Sequence, residues 1–302
     1  MGKEVCGQRD WKAYNEELVR RGTFYLNLSW VKDWDKELEQ MNKGKRGAPF
    51  GFPESMIKLQ GIWNQWIDFR GIEGITRQLV ELDQLPDYND YTCIFRRVTK
   101  IKTEFELPMG RDIEVACDGT GMTIVSGGAY RERTYGKKRK KYIKVVITAD
   151  VRRRKLLACE VSIEGEGDSE PETALKHIKK LKKKGKRIKK FWGDGGLDER
   201  SLINELAKEK SEIAIKPRTK VTSDDPKSAN RKKLVDEHNK LGYKKWAKKK
   251  EYGMRWVGTE GIFSAVKRKF GECLRSTKIE NMLKEANRKF WAYDLIQQYG
   301  NA

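Results

Sequence analysis

The chain has 302 residues, 37% of them apolar and 36% charged, with 65 Lys and Arg against 44 Asp and Glu for a formal charge of +21. That length and apolar content suffice for one large domain and a smaller one, and the charge excess selects a polyanion as partner, nucleic acid ahead of an anionic membrane surface. No stretch reaches the roughly 18 apolar residues of a membrane span, and "MGKEVCGQRDWKAYNEELV" lacks the apolar core of a signal peptide, so a cytoplasmic, nucleoid-associated protein is expected.

The first quarter reads helical. "DWKAYNEELVRRG" opens on an Asp cap and closes at Gly22, and "SWVKDWDKELEQMNKG" runs from Ser29 to Gly44. After the connector "GKRGAPFGFP", Met56, Leu59, Trp63, Trp66 and Ile67 share one helical face, followed by a turn and "EGITRQLVEL". In "PDYNDYTCIFRRVTKI" either Asn89 or Asp90 can cap a helix with Ile94, Val98 and Ile101 inward and Arg96, Arg97 and Lys100 outward. That order fits a helix-turn-helix whose last helix enters a DNA groove through those three cations. The alternative is a three-helix scaffold with a solvated basic face.

Beyond Pro108 the periodicity turns extended. Residues 1–47 are therefore read as a helical arm, 48–107 as a helix-turn-helix-like DNA-binding domain, and 108–302 as an α/β domain. "RDIEVAC" is a strand that meets Asp118 and two glycines, and "KYIKVVITADVRRRKLLACEVSIEG" reads as two strands around a turn. In "DSEPETALKHIKKLKKKGKR", Ser169 and Glu172 form a capping box and Leu175, Ile178 and Leu181 the buried face. "IKKFWG" is a strand ending before Asp194, then comes helix "DERSLINELAKEK" and strand "SEIAIKPR". Residues 219–250 are a lysine-rich insertion, mobile or partly helical, and the remainder is helical.

Chemistry has few carriers. Cys6, Cys93, Cys117, Cys159 and Cys273 form no C-x-x-C pair, and His177 and His238 lie near no other ligand or nucleophile in the sequence. Hydrolysis must then rest on carboxylates. Asp118 and Asp194 stand where strands stop, each beside Gly, and Glu260 on a late helix supplies a third acid. Three converging carboxylates without histidine suit Mg²⁺ or Mn²⁺, and two such ions drive phosphoryl transfer. In so basic a protein that chemistry points to cutting nucleic acid. Any one of these acids alone is more often a turn or cap residue than a ligand; Asp150 and Asp198 fit that simpler role, and Asp168 either caps or faces the site.

The motifs resemble those of DDE transposases of prokaryotic insertion sequences, the insertion sequence 4 and 5 groups. Their signature is Tyr, two residues, Arg, three residues, Glu, six residues, Lys; here Tyr252, Arg255, Glu260 and Lys267 follow it, with four residues between Arg255 and Glu260. "VACDGTGM" is similar to the first-Asp segment and "KKFWGDGGLD" to the second, and the likeness extends over about residues 10 to 297. It implies a ribonuclease-H-like mixed sheet flanked by helices, with Asp118 on the central first strand, Asp194 just after the fourth, and Glu260 on a C-terminal helix against the sheet. It also implies that these three acids bind two Mg²⁺ or Mn²⁺ ions. Tyr252, Arg255 and Lys267 would hold transposon-end phosphates and bases. The implied partners are double-stranded DNA, as terminal inverted repeats and as target, and further copies of the chain in a dimer or larger assembly.

Basic runs at 137–141, 152–155, 176–190 and 244–250 extend the electrostatic footprint. Trp192 and Trp246, set among lysines, read either as base-stacking platforms or as packing residues. Two other functions remain compatible with the residues: a ribonuclease-H-like endonuclease without strand transfer, and a non-catalytic DNA-binding protein derived from a transposase.

Overall fold

The computed structural model describes residues 10–124, 142–218 and 229–301. The basic run at 137–141, residues 219–228 of the lysine-rich insertion, and Cys6 lie outside the described residues. The chain divides into two compact units, Met1–Thr103 with Trp291–Ala302, and Glu104–Phe290.

The first unit is helical. Helix α1 (Trp11–Thr23) starts at Asp10, whose carboxylate accepts from Ala13 N at 3.0 Å. Helices α2 (Trp34–Asn42), α3 (Glu54–Trp63), α4 (Phe69–Glu81) and α5 (Tyr91–Val98) follow. Ile57, Leu59, Trp63, Ile72, Ile94 and Val98 make one buried cluster. Trp34, Met56 and Leu85 make another, so the segments read as arm and helix-turn-helix pack together. Asp90, not Asn89, caps α5, accepting from Thr92 N and Cys93 N. Asn89 is buried instead against Gln60, the two amides exchanging hydrogen bonds. The α3 face also ends sooner than its apolar spacing implies. Asn64 turns back to Ile67 O, Asp68 starts α4 by accepting from Gly71 N, and Trp66 is left 42% exposed.

The second unit is a mixed sheet in the order β3-β2-β1-β4-β5, built from β1 (Asp112–Ile124), β2 (Ile143–Asp150), β3 (Lys155–Ile163), β4 (Arg187–Gly193) and β5 (Glu212–Ile215). The β1-β2-β3 part is antiparallel; β4 runs parallel to β1, and β5 to β4. Because side chains alternate across a strand, Val115 and Cys117 face one side and Ala116 the other. On the first side lie α6 (Glu170–Lys183) and α7 (Arg200–Lys208), burying Ile178, Leu181, Leu202, Ile203 and Leu206. On the second, Ala116, Val151, Trp192 and Ala214 meet Trp246 and Tyr252. Trp246 belongs to α8 (Ala229–Lys249), a helix broken at Gly242, where φ is 69°. Helices α9 (Met254–Gly258), α10 (Glu260–Phe270) and α11 (Ile279–Asn301) complete the chain, and two-residue β6 (Cys273–Leu274) pairs with the far end of β1. The result is a mixed sheet flanked by helices.

Several sequence readings change. Asp118 does not end its strand: β1 continues to Ile124, with Asp118 opposite Ile147 and Gly119 opposite Val146 on β2. Pairing along β2 holds the strand together despite its two glycines. Trp192 and Trp246 are packing residues, both essentially buried, and Trp192 Nε1 donates to Lys250 O at 3.1 Å. Asp198 caps no helix; it is buried in a two-point ion pair with Arg231 (2.7 and 2.6 Å) and accepts from Arg218 N. Asp150 is the turn residue expected, accepting from Arg152 N and Arg153 N.

Candidate active site

Strand register brings two acids together. The last β1–β4 pair is Ala116 with Trp192, so Asp118 and Asp194 each stand two residues beyond it on neighbouring parallel strands. Asp194 ends its strand and turns the chain by accepting from Gly196 N at 2.8 Å. Asp118 stays in its strand and accepts from Gly119 N at 2.8 Å.

The third carboxylate beside them is Glu170, which sequence reasoning missed. Carboxylate oxygens of Asp118, Glu170 and Asp194 lie within 4.8 Å of one another. Glu170 is the first residue of α6, behind the Ser169–Glu172 capping box. Gly119 projects toward that helix, and a Cβ there would stand 2.4 Å from Glu170 Oε1. The missing side chain is what admits the carboxylate.

Glu260 approaches through a different contact. It opens α10, and Arg255 on α9 bridges it to the first acid: Nη1 donates to Asp118 at 2.9 Å and Nη2 to Glu260 at 3.1 Å. Close packing of the α9–α10 junction depends on Gly258, where a Cβ would meet Val151 Cγ2 at 2.8 Å and Ala116 Cβ at 3.2 Å. Tyr252 is buried and its hydroxyl donates to Gly193 O at 3.1 Å, immediately before Asp194. Lys267, farther along α10, pairs with Glu272 at 3.1 Å.

The electrostatics follow from this crowding. Burial pushes the Asp118 carboxyl up to about 6, against the pull of the Gly119 N–H and Arg255, and repulsion from Asp194 and Glu170 adds to the rise. Burial also pushes the Tyr252 phenol up to about 12. Oxygen donors at this spacing fit a hard divalent cation, since the ligands across an octahedral Mg²⁺ shell stand roughly 4 Å apart. Asp118, Glu170 and Asp194 are the residues that can hold it.

The remaining predicted residues lie elsewhere. Arg96 and Lys100 are exposed on and just after α5 in the helical unit, whereas Arg97 is engaged there with Glu54 (3.3 Å) and the Phe50 ring. Asp168 pairs with Lys176.

A family profile described as a transposase DDE domain matches residues 110–295, and a second with the same description matches 19–127. The chain belongs to the transposase DDE domain family. Among solved structures it is similar to a chain of the Mos1 strand transfer complex, at 10% identity over 84% of this chain and 78% of that one, with a TM-score of 0.31. It is also similar to a chain of the piggyBac transposase synaptic complex with hairpin DNA, at 12% identity over 94% and 81%, with a TM-score of 0.27. No curated protein matches the sequence. Among the described residues, no helix is long and apolar enough to cross a membrane.

Proposed function

We propose that the protein is a DNA transposase of the insertion sequence 4 or 5 type that cleaves at terminal inverted repeats and joins the freed 3′-OH to target DNA. The observation that carries this reading is the meeting of the Asp118 and Asp194 carboxylates at the end of the β1–β4 ladder, in a chain of the DDE family. Water attacks the phosphorus at the element's end, the P–O3′ bond breaks, and the element keeps a 3′-OH while the flanking strand keeps a 5′-phosphate. That 3′-OH then attacks a target phosphodiester, whose own P–O3′ bond breaks, so the number of phosphodiester bonds is conserved. No covalent enzyme intermediate is needed.

The chemistry that two Mg²⁺ or Mn²⁺ ions supply when bound is activation of the attacking oxygen and stabilisation of the leaving one. Asp118 and Asp194 are proposed ligands, and Glu260 is proposed to join them once Arg255 releases it. Lys267 lies two helical turns beyond Glu260 on α10, within reach of a neighbouring phosphate once it leaves Glu272. Tyr252 acts by holding the Gly193–Asp194 backbone. Arg255 neutralises Asp118 and Glu260 and can turn to phosphate when cations take its place. Arg96, Arg97 and Lys100 are proposed to contact DNA, with two copies of the chain or more gathering the element's ends, in a cytoplasmic, nucleoid-associated enzyme.

Purified protein with Mg²⁺ and DNA carrying the element's end tests the reading. Nicking at the 3′ end followed by joining to target is expected; nicking alone marks an endonuclease, and binding alone a non-catalytic derivative. Asp118→Asn, Asp194→Asn and Glu260→Gln should each abolish chemistry and keep DNA binding. An active variant removes its residue from the site.

A further inference from the structure

The acids that meet are not the three that the DDE signature names. Glu260 is held by Arg255 at 3.1 Å, and Arg255 is held by Asp118 at 2.9 Å. Among the described residues the group able to share a cation is Asp118, Glu170 and Asp194, all within 4.8 Å. Glu170 is not adventitious there. Its backbone is fixed by the capping box of Ser169 and Glu172 and by Pro171 in the first turn of α6, and its side chain fills the space left by Gly119. Among the described residues its paired cation is Lys144, at a loose 3.8 Å. A carboxylate is thus aimed at two others with little to neutralise it.

Resting on the metal-dependent function proposed above, we infer that Glu170 is a third protein ligand of the divalent cation held by Asp118 and Asp194 in the DNA-free protein, with Glu260 kept apart by Arg255. Gly119 is the positioning residue: its lack of a Cβ lets the helix-borne carboxylate reach the strand-borne one. Such a site loads its cation before DNA arrives. Glu260 joins the chemistry only when Arg255 is drawn away, and a DNA phosphate is the chemical group suited to draw it.

Mn²⁺ binding to the DNA-free full chain, read by electron paramagnetic resonance of the unbound ion, tests this without any activity measurement. Glu170→Gln is expected to weaken Mn²⁺ binding about tenfold or more, as Asp118→Asn does, while Glu260→Gln stays within about threefold of the wild type. Gly119→Ala removes no carboxylate from the chain but evicts Glu170 from its seat, so it should reproduce the Glu170→Gln loss and supplies the answer if that variant folds poorly. Wild-type affinity in both Glu170→Gln and Gly119→Ala, with Asp118→Asn still impaired, overturns the role of Glu170 and leaves the transposase reading standing. A wild-type protein that binds no Mn²⁺ with or without DNA overturns both.

Discussion

The two ends of the β1–β4 ladder carry opposite solutions to charge. Where the strands begin, Asp112 faces Arg187, Lys182 pairs with Glu205 (2.6 Å) and Glu209 (3.0 Å), and Lys186 donates to Gly110 O at 2.6 Å. Lys182, Lys186, Arg187 and Glu209 border a cavity of about 470 Å³ with Arg111 and Lys208 on its wall, and each of the three acids at this end, Asp112, Glu205 and Glu209, is paired with a cation. Past the other end, four carboxylates (Asp118, Glu170, Asp194 and Glu260) have the single guanidinium of Arg255 and a distant Lys144 among their ion pairs. Among the described residues no further cation pairs with them, in a chain of formal charge +21. Like charges gathered in a partly buried place disfavour the folded protein, so this end is arranged for a ligand and the other for stability.

The largest expected contrast is in activity. Asp194→Asn should cut end nicking by about a thousandfold or more while the denaturation midpoint in EDTA stays level or rises, because one of the repelling carboxylates is gone. A large loss of stability in that variant would erase the distinction between the two ends.

The pH dependence of stability comes next. His177 is buried against Thr148 Oγ1 at 2.9 Å, and burial lowers its pKa from 6.5 to about 4. Between those values the unfolded chain binds a proton that the folded chain refuses, so this group makes stability fall with acidification, by up to about 3 kcal/mol. Asp118, raised from 3.8 to about 6, has the opposite sign: between those values the folded chain holds the extra proton, and stability rises on acidification. Urea denaturation in EDTA should therefore show Asp118→Asn losing stability steadily from pH 6.5 to 4, with the wild type flatter across the same window. Parallel curves would mean that burial does not raise the Asp118 carboxyl.

A smaller effect is expected at Tyr252→Phe, which leaves the Gly193 carbonyl without its hydroxyl donor. A stability loss of about 1–3 kcal/mol should accompany slower nicking, because the lost bond anchors the backbone next to Asp194. Smallest of all is Asp112→Asn. Its pair with Arg187 is 43% and 50% exposed, so solvent screens it and little stability should be lost, with nicking unchanged.

How much of this was legible in the sequence depends on whether the cause was local. Capping of α1 by Asp10 and of α6 by Ser169 rests on contacts three residues away and could be read directly, whereas the cap of α5 was narrowed only to Asn89 or Asp90. The mixed sheet and the positions of Asp118 and Asp194 along it followed from the resemblance of "VACDGTGM" and "KKFWGDGGLD". Glu170 was hidden because "SEPE" is already explained as a capping box, and an acid at a helix start also satisfies the helix dipole. Its meeting with Asp118 is set by the packing of α6 on β1 and by an absent Cβ at Gly119, and neither leaves a periodic signal. One clue was available: a glycine directly after Asp118 in a strand implies close approach by something, and the something is a side chain of this protein. Trp192 and Trp246 read as base-stacking platforms or as packing residues, and their burial settles them as packing residues. Asp198 misled by preceding a helix; its partner Arg231 comes from 33 residues away.

The most direct test of the central claim is to locate the cation. Crystals of the protein grown with Mn²⁺ should show an anomalous scattering peak between the Asp118 and Asp194 carboxylates. A peak elsewhere, or none at saturating Mn²⁺, would contradict the account of this strand end as a metal centre.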